Sequence, residues 1–166
     1  MKLIEQTPLR PEQAETEKRA GNAMEQHVMI SIRGEQEICG ADKNVTEFVT
    51  GGLLTATDYG YLLEYDESEL TGMEGTHTAF QIRPDSVALI RTGAFRSQMI
   101  FERLRKHYSL YDTPYGTMTM GITTTSLHSA ITGDGGELDV RYAIEIEHQV
   151  TGECRFLIQV RPSGAQ

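Results

Sequence analysis

The sequence predicts an all-β protein, a single antiparallel β-barrel of about eight to ten strands. Three observations predict it. Apolar and polar residues alternate at period two through most of the chain after residue 27. Turn residues break that alternation at short intervals, at Asp58-Tyr59-Gly60, Arg83-Pro84-Asp85, Thr92-Gly93, Gly133 to Gly136 and Thr151-Gly152. No stretch of ten residues in this region carries apolar residues three and four apart, as a helix would need.

The elements follow in order. Val28, Ile30 and Ile32 alternate with Met29, Ser31 and Arg33 in a first strand. Val45 to Thr57 is β-branched and apolar, and its Gly51-Gly52 pair predicts a bulge or sharp bend. Tyr61, Leu63 and Tyr65 share one face. Thr76, Thr78, Phe80 and Ile82 form the next strand, and Ser86 to Arg91 a short one. Phe95, Ser97, Met99 and Phe101 then alternate with Arg96, Gln98, Ile100 and Glu102. Thr117 to Ser126 reads as a long strand that Gly121 allows to bend around a corner. Leu127 to Ile131 is either a helical turn or, preferably, the end of that strand. The clearest hairpin comes last: Leu138, Val140, Tyr142, Ile144 and Ile146 face the same core as Cys154, Phe156, Ile158 and Val160. About ten strands with short links fit a sandwich or a barrel. The glycine within the long strand favours the barrel, whose interior is filled or holds one small ligand.

Two regions result. Residues 1–26 hold Pro8, Pro11 and many charges but few large apolar side chains, so they read as a flexible charged tail. Residues 27–162 read as the barrel domain. The net charge of −9 disfavours a phosphate backbone as partner. No apolar run approaches the roughly 18 residues of a spanning helix, and the first residues lack a secretory core. A cytoplasmic protein that binds neither nucleic acid nor membrane is expected. Cys39 and Cys154 read as reduced and mostly buried.

Five segments carry a family resemblance: Gly72-Met73-Glu74-Gly75-Thr76, Ile90-Arg91-Thr92-Gly93, Met99-Ile100-Phe101-Glu102, Tyr111-Asp112-Thr113-Pro114-Tyr115-Gly116-Thr117-Met118 and Gly135-Gly136-Glu137-Leu138. Together they resemble the YwiB-like family of small bacterial proteins, a domain of unknown function, across about residues 27–161. The resemblance implies a calycin-like barrel related in shape to lipocalins and fatty-acid-binding proteins. It implies no catalytic residues.

The histidines His27, His77, His107, His128 and His148 lack metal-ligand spacing, and four of them, all but His128, read as solvated imidazoles on polar faces. The glycines at 133–136 precede a strand rather than a helix, so they read as a hairpin loop and not a phosphate cradle. No metal, cofactor or catalytic set is expected. The candidate ligand-binding residues are Arg91, Ser97, Tyr111, Tyr115, Met118, Met120 and Tyr142. Arg91 continues the period of Val87 and Leu89, so it points inward, and a buried guanidinium requires Glu64, Glu74 or an anionic ligand. Its plainer reading is a rim arginine. Ser97 lies on an inward face without the elbow of an activated serine and reads as a wall residue. Tyr108, Tyr111 and Tyr115 surround the Thr113-Pro114 turn, where they cap the core or stack on a ligand. Met118 and Met120, with Ile122, form an apolar stripe suited to core packing or to an adaptable pocket. The expectation is a binding module for a small, partly apolar ligand, with a filled-core scaffold protein, acting through its surface or as a homodimer, as the alternative.

Overall fold

The computed structural model describes residues 25–113 and 116–163, and the side chains of residues 116–163 and 25–110. The tail expected at residues 1–26 falls almost entirely outside them. Ten strands run in chain order: β1 (Gln26–Ile38), β2 (Asn44–Ala56), β3 (Tyr61–Asp66), β4 (Thr76–Ile82), β5 (Ser86–Gly93), β6 (Ser97–Glu102), β7 (Lys106–Thr113), β8 (Gly116–Thr132), β9 (Gly135–Ile146) and β10 (Gln149–Pro162). The described residues contain no helix, and so none long and apolar enough to cross a membrane.

All ladders are antiparallel, in the order β6-β5-β4-β3-β2-β1-β10-β9-β8-β7. The first and last strands therefore meet in the middle of the sheet, pairing from Val28↔Pro162 to Ile38↔Gly152. The sheet curls until β6 lies beside β8. There the closure is a seam without a ladder. Arg103 Nη2 donates to the Leu127 carbonyl at 2.6 Å, and Leu104 N–H donates to the Thr124 carbonyl at 2.8 Å. This is the expected barrel, nearly closed.

Period two decides what is inside. Ile30, Leu63, Val87, Phe101, Leu138, Val140 and Ile158 are fully shielded from solvent and share one core. Its floor is aromatic. Phe101 lies 4.8 Å from Tyr142 and 5.3 Å from Phe156 between ring centroids, and Phe80 lies 5.7 Å from Phe156. Tilted and edge-on pairs of this kind suit the ring quadrupoles.

Two expectations about glycines needed correction, and one about a turn: the β9–β10 turn falls at Glu147-His148, and Thr151-Gly152 lies within β10 beside its register shift. The Gly51-Gly52 pair makes no bulge, since the β1–β2 register runs without a shift from Gln26↔Leu54 to Gln36↔Asn44. Gly52 is required for close approach instead: a Cβ there would lie 2.4 Å from the Glu64 carbonyl oxygen and 2.6 Å from Ile30 Cδ1. In β8 the irregularity falls between Thr124 and Ser126 rather than at Gly121. That bulge resets the alternation, so Thr124 and Leu127 are both buried. Gly121 makes room for the Tyr108 ring, whose Cε1 would stand 3.2 Å from an added Cβ. The segment Leu127 to Ile131 is strand, the preferred of its two readings.

Candidate functional site

Above the aromatic floor the barrel is not filled. A cavity of about 300 Å³ opens at its mouth, walled by Phe48, Tyr65, Phe80, Leu89, Met99, Tyr142, Ile144, Cys154 and Phe156, among others. Four charged side chains also line it: Glu35 and Arg155, shared with a neighbouring cavity, and the pair Arg91 and Glu67. Arg91 comes from the end of β5, where it pairs with Thr78 of β4 on one side and Ser97 of β6 on the other. Glu67 comes from the first residue after β3, on the same parity as Leu63 and Tyr65, and its side chain is 1% exposed. The Thr71 hydroxyl donates to Glu67 Oε1 at 2.8 Å, and the Thr78 hydroxyl donates to Oε2. The Glu67 N–H donates to the Thr76 carbonyl at 2.8 Å, which fixes the turn from which the carboxylate enters.

Arg91 Nε stands 3.8 Å from Glu67 Oε2, close enough for an ion pair but too far for a hydrogen bond. That nitrogen is buried and has no hydrogen-bond partner among the described residues. A buried donor without an acceptor carries a desolvation cost of roughly 1–3 kcal/mol. The mouth thus presents a guanidinium with unused hydrogen-bonding capacity beside carbon walls.

Two phenols and a thiol in the lining are held neutral. Burial raises the Tyr65 hydroxyl well above its ordinary pKa, and the Glu67 carboxylate raises it further. Burial likewise raises the Tyr142 hydroxyl, with Cys154 adding to the effect, and it raises the Cys154 thiol. Two phenols and a thiol therefore remain protonated donors near the cavity.

The sequence-derived candidates separate on this geometry. Arg91 and Tyr142 line the cavity. Ser97 is half-buried opposite Arg91 in the ladder, outside the lining. Met118 and Met120 are half-buried on β8, and Met120 packs against the core rather than the cavity. The side chain of Tyr111 and the whole of Tyr115 lie outside the described residues. The partner of Arg91 is Glu67, not Glu64 or Glu74. Glu64 instead meets His77 on the outer face, with Glu64 Oε1 3.0 Å from Nε2 and Asp66 Oδ1 2.8 Å from Nδ1. His77 is thus an ion-paired imidazole rather than a solvated one, and its pKa is raised to about 9, first by the Glu64 hydrogen bond. His107 also departs from the solvated reading: it is buried, 3.1 Å from Glu102. Cys154 is buried as expected, whereas Cys39 is exposed; both are free thiols.

A neighbouring cavity of about 330 Å³ shares Glu35, Gln36, Tyr142, Cys154 and Arg155 with the mouth cavity and adds Lys43, Arg141 and Glu153. Several of its charges are already matched, Lys43 to Glu35 at 3.4 Å and Arg155 to Asp139 at 2.9 Å. The mouth cavity, where aromatic and aliphatic side chains surround the Arg91–Glu67 pair, has the make-up of a small-molecule site.

A family whose description is "Domain of unknown function (DUF1934)" matches residues 30–158. The chain belongs to this family. The matched span runs from the fifth residue of β1 to the tenth of β10, so it takes in every residue of the mouth cavity named above. Among solved structures the DUF1934 chain is similar to the ywiB protein from Bacillus subtilis, at 16% sequence identity and a TM-score of 0.65. The similarity covers 82% of this chain and 92% of that one, and at this identity it speaks for the fold. No curated protein matches the chain.

Proposed function

We propose that this barrel is a binding module for a small, partly apolar ligand that carries an anionic group. The observation that carries the reading is the orphaned, buried Nε of Arg91 inside a carbon-walled cavity of about 300 Å³. An acceptor on the ligand would supply the hydrogen bond that Glu67, at 3.8 Å, does not. The apolar body would lie against Phe48, Leu89 and Met99. The module acts by binding rather than catalysis. The thiol in the wall, Cys154, is kept from the thiolate form by burial, which removes the readiest nucleophile at the site.

Isothermal titration calorimetry with octanoate and benzoate, against octanol and benzamide, tests this. The acids are expected to bind and the neutral partners to bind at least about tenfold more weakly, a charge-assisted bond being worth roughly 1.5–3 kcal/mol. Arg91→Gln should erase the difference. Equal binding of acid and neutral partner would refute the anionic group. Binding of none of them would favour a filled-core protein that works through its surface.

A further inference from the structure

The two ends of the ten-stranded sheet are treated differently. The β6 end is covered by β8 through Arg103 and Leu104. The β7 end is not. Strand β7 pairs with β8 along one side, without a shift from Lys106↔Thr123 to Thr113↔Gly116, and takes the last place in the sheet. Among the described residues no backbone hydrogen bond joins its other side to another strand. Eight residues of regular edge, with neither bulge nor proline, are what soluble β proteins usually avoid. Tyr108 and Leu110, two residues apart on the outer face, are 42% and 51% exposed.

We infer that β7 is a dimerisation edge, and that its partner is β7 of a second copy of this chain. The strand sequence is self-complementary about Ser109. An antiparallel two-fold pairing centred there sets Ser109 against Ser109 of the partner subunit. Tyr108 falls opposite Leu110 of the partner subunit, twice by symmetry. Position 106, a lysine whose ammonium also meets Glu145 at 2.6 Å, falls opposite position 112, an aspartate, again twice. Apolar pairs and opposite charges are the cross-strand combinations that stabilise a sheet, and this register contains no like-charge pair. A two-fold axis makes such an interface isologous and closed, so it yields a dimer and not a fibre. The result would be two barrels joined by one continuous sheet. The inference does not depend on ligand binding at the mouth, because β7 contributes none of the described cavity lining.

The experiment is sedimentation velocity on the full chain from about 1 to 200 µM, concentrations that bracket weak specific association. A concentration-dependent monomer–dimer equilibrium is expected. Leu110→Lys, at an exposed position, should raise the dimer dissociation constant about tenfold or more by replacing both apolar pairs. Val49→Lys, equally exposed but on β2, should leave it unchanged. Ser109→Cys with Cys39→Ser tests the register directly. Opposed Cα atoms at 4.5–5.5 Å are within disulfide range, so oxidation should give a covalent dimer, and Val49→Cys in the same background should not. A monomer at every concentration, or a dimer that ignores Leu110→Lys and does not cross-link through position 109, would overturn the inference.

Discussion

The floor and the mouth of this barrel are built from the same pattern with opposite outcomes. In the floor, inward positions carry Phe101, Phe156, Phe80 and Tyr142, whose rings fill the space between the strands. At the mouth, Arg91 lies two residues beyond Leu89 and Glu67 two beyond Tyr65 on inward faces, and space is left open. Period two says which side of the sheet a residue occupies. Only side-chain volume and charge then decide whether that side is core or site. The floor supplies stability, and the mouth, with a buried ion pair and an unmatched donor, gives up some of it.

The contrast can be broken most forcefully from the floor. Phe101→Ala should cost about 3–5 kcal/mol, because it opens a cavity between Tyr142 and Phe156 that neighbouring strands cannot close. Urea denaturation measures this, and a cost under 1 kcal/mol would mean that the floor is loosely packed. At the mouth, Glu67→Ala should cost about 2–3 kcal/mol, since it strands the Arg91 guanidinium and removes the acceptor for Thr71 and Thr78. The comparison sharpens in a double-mutant cycle. Adding Arg91→Leu to Glu67→Ala should recover part of the loss, whereas the same leucine in the parent should be destabilising, because it leaves Glu67 buried without its counter-charge.

Two smaller effects lie outside both regions. Leu104 at the seam has φ 61°, a left-handed conformation that a leucine adopts at a cost, and it is 78% exposed. Leu104→Gly should therefore stabilise the chain by about 0.5–1 kcal/mol in the same denaturation assay. The smallest effect is at His77 on the outer face. Its pKa is raised in the folded state from 6.5 to about 9, so the protonated form is the stabilised one. Its contribution is complete below about pH 6.5 and fades as the pH rises through 9. The side chain is 43% exposed, so the effect stays under about 1 kcal/mol. Stability measured between pH 6 and pH 10 should fall less steeply for His77→Asn than for the parent.

How much of this the sequence discloses depends on whether the deciding contact is local. The hairpin β9–β10 is legible because five inward apolar residues on one strand meet four on the next, although its turn falls at Glu147-His148 and not at Thr151-Gly152. Arg91 is legible as an inward residue from Val87 and Leu89 alone. Its partner is not, because Glu67 follows the last residue of β3 and joins β5 only through the folded sheet. Extending Leu63 and Tyr65 by one more step of two would have pointed to it. His107 escaped because its strand, with Ser109 as its next inward residue, offers no apolar stripe to mark the buried side. The bulge at Thr125 escaped because nothing in a run of threonines signals a doubled residue. The cavity itself is a difference between volumes contributed by eight strands, and no single segment encodes it.

The most direct test is methyl NMR of the methionines during titration with octanoate. Met73 and Met99 line the mouth cavity, and Met29, on the opposite parity to Val28 and Ile30, does not. Saturable shifts of Met73 and Met99 are expected, abolished by Arg91→Gln, with Met29 unmoved. Shifts that leave Met99 untouched, or that survive Arg91→Gln unchanged, would contradict it.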